Sequence, residues 1–202
     1  MLDLTIPHTD ISMYKTDTST YPRYELPEGF SFSFYRPGDE LWWARLEVEL
    51  AQFKTLERAI GCFREEFLVG QKLKPEDRML FVRDNHGEIV ATATLWEGLY
   101  NGKVEPRIHW VATSDRCAGR GIAKALLTRL FDLYGELGYS GFIYLWTGTR
   151  SYPAIAIYRK FGFVEFRGTK NPLGHSSPDF EKQNEAAIAL VDSLIEKHRP
   201  KK

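Results

Sequence analysis

Cysteine is scarce: the 202 residues contain only Cys62 and Cys117. Two thiols make a poor disulfide framework for a chain of this size, and they lack the paired spacing of zinc ligands. A reducing compartment and a metal-free chemistry are expected. Surplus charge is absent too, because Lys plus Arg and Asp plus Glu each number 27. Nucleic acids and anionic membranes attract through an excess of positive charge, so no nucleic-acid partner is expected. Only Lys197 to Lys202 is locally basic, and such a tail is usually solvated. No apolar run approaches the ~18 residues a membrane helix needs; Ala186–Val191 is typical of the longest. The start, Met1-Leu2-Asp3-Leu4-Thr5-Ile6-Pro7, has neither a basic region nor a long apolar stretch, so no secretory signal is read. These absences together point to a soluble, cytoplasmic protein without a membrane partner.

What is abundant is apolar and aromatic: 43% of the residues are hydrophobic, with 13 Phe, 10 Tyr and 5 Trp. Such a chain buries a sizeable core, and wholesale disorder is excluded. Its length suits one domain.

Residues 1–29 are rich in Thr, Pro, Asp and Tyr and show little periodicity. They read as an irregular arm with room for one short strand. Phe30 to Tyr35 alternates with period two, as a half-buried strand does. Asp39 is a plausible N-cap for a helix carrying Trp42, Trp43, Leu46, Leu50 and Phe53. A second helical stretch carries Leu56, Ala59, Ile60, Phe63 and Phe67. Residues 79–83 and 88–96 read as a hairpin around Asp84-Asn85-His86-Gly87. Gly98 and Gly102 punctuate the next connection, residues 107–112 form a strand, and 113–121 form a glycine-containing loop. Ile122, Leu126, Leu130, Leu133 and Leu137 then make a helical stripe stopped by Gly138. A strand over 142–146, a helix over 154–161 and a strand over 163–167 follow. Ser176-Ser177-Pro178 signals a last helix, from about 179 to 198, with Phe180, Ala187, Leu190, Val191, Leu194 and Ile195 as its apolar face. The order β-α-α-β-β-β-α-β-α-β-α around one core predicts an α/β fold, a mixed sheet covered by helices.

The most informative stretch runs from Ile108 to Ala123. A strand enters a loop containing Gly119 and Gly121, which leads directly into a long amphipathic helix. Glycine permits positive φ and close backbone approach. The first helical N–H groups lack internal partners and carry the positive end of the dipole. Together they suit a phosphate or pyrophosphate, although a plain glycine turn without a ligand fits the same pattern. An NTPase loop is excluded because no Gly-Lys-Ser or Gly-Lys-Thr occurs. A dinucleotide fingerprint fails because Lys124 stands where its third glycine would be.

This segment resembles the first signature of the GCN5-related N-acetyltransferase (GNAT) superfamily, Gln/Arg-x-x-Gly-x-Gly/Ala. Ala118-Gly119-Arg120-Gly121-Ile122-Ala123 keeps the strand-to-helix spacing but has Ala118 at the Gln/Arg place. A second register, from Arg116 to Gly121, keeps the arginine and displaces the helix start. The other signature, Asn-x-x-Ala-x-x-x-Tyr-x-x-x-Gly-Phe, is matched from Ser151 to Phe163 except at its first position. The resemblance covers roughly residues 30–168. It implies a GNAT-like mixed, mostly antiparallel central sheet flanked by helices. Residues 1–29 would be an arm, 30–168 the acetyltransferase domain, and 169–202 an extra helical extension of that domain, in place of the family's usual last strand.

By the same resemblance, acetyl-CoA is the cosubstrate and no metal is used. Val111, Ala112, Thr113, Ala118, Gly119, Arg120, Gly121, Ile122, Ala123, Ser151 and Ala154 would contact it. The acetyl group would pass directly to an amine of a small molecule or peptide. Alternatives are a catalytically silent acyl-CoA-binding module and a protein or peptide N-terminal acetyltransferase. Tyr158 matches the family's acid for the departing thiolate; the bland alternative is a core tyrosine. A backbone amide near Val111 would stabilise the thioester oxygen. Many relatives place a glutamate base where Arg107 stands, and arginine cannot serve. His109, two residues along and so on the same strand face, and Glu97 are the candidate bases, each with a structural alternative. Trp42, Trp43, Trp96 and Trp146 line either an acceptor cleft or the core. Cys117 reads as loop filling. The terminal helix packs its apolar face either on its own subunit or on a partner, so a homodimer is an open expectation.

Overall fold

The computed structural model describes residues 3–174 and 178–198. The strands are β1 (Asp10–Lys15), β2 (Phe30–Phe34), β3 (Met79–Asp84), β4 (Ile89–Tyr100), β5 (Lys103–Thr113), β6 (Ile143–Gly148) and β7 (Val164–Glu165). The helices are α1 (Glu40–Glu49), α2 (Leu56–Phe63), α3 (Ile122–Glu136), α4 (Tyr152–Lys160) and α5 (Phe180–Lys197). The strands form one mostly antiparallel sheet in the order β2-β3-β4-β5-β6-β1-β7, flanked by helices. The GNAT-like α/β architecture expected from sequence is present. The serines of the Ser176-Ser177-Pro178 signal and the basic residues beyond His198 lie outside the described residues.

Two compact units divide the chain. The first comprises 23–96 and 108–139, and the second comprises 3–22, 97–107 and the described residues from 140 onward.

In the first unit β3 pairs antiparallel with both β2 and β4, setting Phe32 opposite Val82 and Phe81 opposite Thr92. Helices α1 and α2 pack together over a core that includes Trp43, Phe63, Phe67, Met79, Phe81 and Trp96. Trp43 is edge-on to Phe63 at 5.2 Å between ring centroids, a favourable aromatic geometry. Asp39 precedes α1 as expected but does not cap it. Its carboxylate accepts from the Arg36 amide at 2.9 Å and from Arg83 at 2.8 Å. Thr55 caps α2, accepting from the Arg58 amide at 3.3 Å. The second helical stretch changes character after Phe63: residues Arg64–Leu68 form a π-helical turn. The apolar stripe of α3 is buried as its spacing predicts, and Gly138, at φ 79°, ends the helix while the Tyr139 amide closes onto the Tyr134 carbonyl.

In the second unit β1 lies between β6 and β7 and is hydrogen-bonded to both, with Met13 opposite Leu145 and Tyr14 opposite Val164. The strand allowed for within the arm is therefore an interior strand of the sheet. Its signal is weak because it is only six residues long and its partners lie far off in the chain. Counting β1, the sheet has seven strands, and α5 is an addition to it.

The connection expected around Gly98 is instead more strand, since β4 continues to Tyr100 and β5 begins at Lys103. Gly98 belongs there because a side chain would collide with the Tyr144 hydroxyl. The chain reverses at Asn101-Gly102, both at positive φ (49° and 76°), the favoured pair for a tight hairpin. The strand expected over 163–167 shrinks to the two residues of β7. Helix α5 packs on α4, β1 and the turn at residues 149–151, burying Asn184, Ala187, Ile188 and Val191. It is covered by its own subunit. Asn184 donates to the Phe166 carbonyl at 2.7 Å, and Arg159 joins Glu165 and Asp192 at 2.6 Å each.

Candidate active site

In the first unit β5 is distorted at Trp110, whose φ of 49° lies in the left-handed region. A bulky residue rarely adopts that conformation without being held there. Successive strand residues normally point to opposite faces. Here His109 and Trp110 turn onto the same carboxylate. His109 Nε2 lies 2.5 Å from Glu66 Oε2, and the Trp110 indole N–H donates to the same oxygen at 2.7 Å. Glu66 sits in the π-helical turn, an irregularity frequent at functional sites. Nothing in the sequence marked Glu66, because helical spacing alone makes it an ordinary solvent-facing glutamate.

Beyond the distortion the chain is tied down before it turns. The Ser114 amide donates to Val90, and the Ser114 hydroxyl and Asp115 amide converge on Glu49 Oε1 at 2.5 and 3.2 Å. Arg116 pairs with Glu88 at 2.7 Å, and Cys117 is buried as loop filling. Ala118, Gly119 and Arg120 are exposed. Gly119 and Gly121 have φ of 76° and 87°, and a side chain built at either would meet nothing within 4 Å. Glycine is required here by backbone conformation, over an open surface.

Helix α3 begins directly after Gly121, as the Ala118–Ala123 register requires, and no side chain caps it. The Lys124 amide turns back to the Gly121 carbonyl at 3.0 Å, which leaves the Ile122 and Ala123 amides of the first turn without a side-chain cap. Arg120 lies over the Phe30 ring at 4.5 Å, beside a cavity of about 380 Å³ lined by Glu28, Phe30, Asp84, Asn85, Arg116 and Arg120. Of the cofactor residues expected on β5, Ala112 is buried, while Val111 and Thr113 are half-buried.

The remaining candidates belong to the second unit. Glu97 is half-buried on β4. Ser151 precedes α4 without capping it through its side chain, and Ala154 is half-buried in its first turn. Tyr158 is buried, its ring edge-on to Phe163 at 6.1 Å between centroids. Burial pushes its hydroxyl well above the usual tyrosine range. Of the tryptophans, Trp43 and Trp96 are core, Trp42 is half-exposed beneath Arg45, and Trp146 is exposed on β6. Among the described residues no cluster of three or more His, Cys, Asp or Glu is placed to hold a metal. No described helix is long and apolar enough to cross a membrane.

The model of the acetyltransferase (GNAT) family matches residues 16–163. The chain belongs to that family. Solved structures agree on the fold. A GCN5-related N-acetyltransferase from Sphaerobacter thermophilus is 26% identical at a TM-score of 0.58, covering 78% of this chain and 48% of its own. A GNAT-family acetyltransferase from Colwellia psychrerythraea is 13% identical at a TM-score of 0.57, covering 79% and 54%. A glucosamine N-acetyltransferase region of a fungal multi-domain β-N-acetylglucosaminidase is 12% identical at a TM-score of 0.55, covering 82% and 20%. The chain thus spans about half of the first two proteins and a fifth of the third. No curated protein sequence matches it.

Proposed function

We propose that this GNAT protein is a cytoplasmic N-acetyltransferase that moves an acetyl group from acetyl-CoA to an amine of a small molecule or peptide. The observation that carries the reading is the start of α3. Two glycines at positive φ precede it, nothing overhangs them, and the helix presents uncapped amides. A pyrophosphate bound there would gain N–H donors and the positive end of the helix dipole.

Acetyl-CoA supplies the acetyl group as a thioester. The chain's own part is to bind, orient and move protons. A backbone amide of β5 near Val111, next to the distortion at Trp110, is assigned as donor to the thioester oxygen. His109, fixed on Glu66, is assigned the role of accepting the ammonium proton, which suits a carboxylate-oriented imidazole. Tyr158 is assigned the proton donated to the leaving thiolate on the strength of its motif. Glu97 is kept as the competing base.

The test is calorimetric titration with acetyl-CoA, followed by a screen of amines for CoA release and mass spectrometry of the product. Micromolar binding with a product heavier by one acetyl group is expected. Binding without turnover on any amine would make the protein a silent acyl-CoA module, and no binding would remove the reading.

A further inference from the structure

One oxygen in the first unit decides the protonation of the candidate base. Glu66 Oε2 lies 2.5 Å from His109 Nε2 and accepts from the Trp110 indole N–H at 2.7 Å. An indole nitrogen can only donate, so Trp110 fixes Oε2 as an acceptor. A carboxylate oxygen accommodates two such donors, and the second has to be His109 Nε2–H. The neutral imidazole therefore keeps its proton on Nε2, and its lone pair is on Nδ1. Rings hold the imidazole as well: its centroid is 5.5 Å from that of Trp110 and 6.0 Å from that of Phe67. Phe67 follows Glu66 in the π-helical turn, is 1% exposed and stands edge-on to Trp96 at 5.2 Å. That burial anchors the turn presenting Glu66.

We infer that Glu66 is a positioning residue for acetyl transfer, holding His109 as the Nε2–H tautomer so that Nδ1 takes the ammonium proton. The inference rests on the reading of His109 as base and deepens it to one atom and one partner. In the step concerned an ammonium N–H bond breaks and an Nδ1–H bond forms. The amine keeps the electron pair with which it attacks the thioester carbon. The positive charge passes to the imidazole, opposite the Glu66 carboxylate, and the proton leaves to solvent after turnover. An anion at that distance favours the charged imidazole, so the pairing matters most once the base is loaded. Glu66 meets no reacting atom and acts through His109.

Other titratable groups surround the pair without being bonded in the same way. In the turn itself, Arg64 acts on Glu40 of α1, and Glu65 is exposed. Cys62 of α2 is pushed up to about 11 by burial and by Glu66, Glu65 and Glu47. Glu47 of α1 is 1% exposed, and burial pushes its carboxyl up to about 8, so it is mostly neutral at pH 7. Toward the sheet the imidazole meets the rings of Phe67 and Trp110. Glu97, the competing base, follows Trp96 on β4. Glu66 is the group bonded to the imidazole.

NMR of the full chain carrying nitrogen-labelled histidine, followed through the imidazole titration, tests the pair without any substrate. The His109 signals are those lost in His109→Gln. In wild type they should show a protonated Nε2 and an unprotonated Nδ1 above the titration. Glu66→Gln keeps the length of the side chain and removes its charge. It should move the His109 titration down by about one pH unit or more. The second arm measures acetyl transfer from acetyl-CoA to the amine that the CoA-release screen turns over fastest. In Glu66→Gln the acidic limb of kcat/KM should move down by the same amount, because an imidazole without its anion loses its proton at lower pH. There kcat should fall about tenfold or more while the KM for acetyl-CoA stays nearly unchanged. A merely structural role would lower the rate and leave the limb in place. That result, a His109 titration indifferent to Glu66→Gln, or a His109 protonated on Nδ1 would each overturn the assignment. The two readings fail separately. A shifted titration in a protein that acetylates no amine removes acetyl transfer and keeps the pair, and acetyl transfer with an unmoved limb removes the positioning role alone.

Discussion

Trp110 and Glu66 are joined by an indole N–H bond of 2.7 Å, and that bond holds a tryptophan in a conformation that strands avoid. Because His109 uses the same carboxylate oxygen, one side chain from the α-helical layer fixes two consecutive residues of β5. The distortion, the imidazole's position and the backbone beyond it are thus one arrangement.

If His109 takes the substrate proton, the acidic limb of the pH–rate profile should vanish in His109→Gln and survive in Glu97→Gln. Steady-state rates between pH 5.5 and 9 decide it. The reverse pattern moves the role to Glu97.

Gly121→Val should weaken acetyl-CoA binding strongly. A β-branched residue at φ 87° is strained, and its side chain would stand where a phosphate approaches. Calorimetry, with circular dichroism to confirm folding, should show affinity lowered by about a hundredfold, in keeping with several lost charge-assisted hydrogen bonds.

Tyr158→Phe removes a hydroxyl and little volume. The expected result is a fall in kcat of about 10²–10⁴ with acetyl-CoA affinity nearly unchanged. Full activity would return Tyr158 to the role of a core aromatic.

Ile188→Ala should destabilise the protein by about 2–5 kcal/mol, because this side chain of α5 is 1% exposed. A melting temperature lower by on the order of 10 °C follows for a chain of this size. An unchanged melting temperature would mean that α5 contributes little.

Glu47 also has a pH signature in stability. Its folded carboxyl is raised to about 8 from 4.5. Below the unfolded value both states are protonated and nothing is lost. As pH rises toward 8 the unfolded chain gives up its proton and the folded one keeps it, so folding is penalised. Glu47→Gln lacks this penalty. Its melting temperature relative to wild type should rise steadily from pH 5 to pH 8.

The sequence disclosed those parts of the molecule whose signals are local. Gly119 and Gly121 needed only their own backbone conformation to be read, and the α3 stripe only its period. β1 was allowed for without being placed, because a six-residue strand gives a short pattern and its partners β6 and β7 lie far off in the chain. The hairpin at Asn101-Gly102 was legible in principle, but Gly98 drew the break to itself. Gly98 is explained by the Tyr144 hydroxyl, a distant residue. Glu66 was invisible for a stronger reason. Its direction depends on a π-helical turn, and its partners lie more than forty positions away. The burial of Glu47 is likewise a property of packing, which composition does not encode.

The pairing of β1 with β6 brings Asp10 opposite Gly148, and α5 closes over the same strand. During synthesis β1 emerges before the other strands of the sheet, while its partners β6 and β7 emerge after them. Such long-range pairing is slow, since the loop must close before any contact rewards it. The first unit has strands that pair with near neighbours and is free to form earlier. A nascent chain therefore carries an unpaired β1, with Ile11 and Met13 uncovered, until β6 has been made. A lesion in β6 or α5 would be felt first at β1.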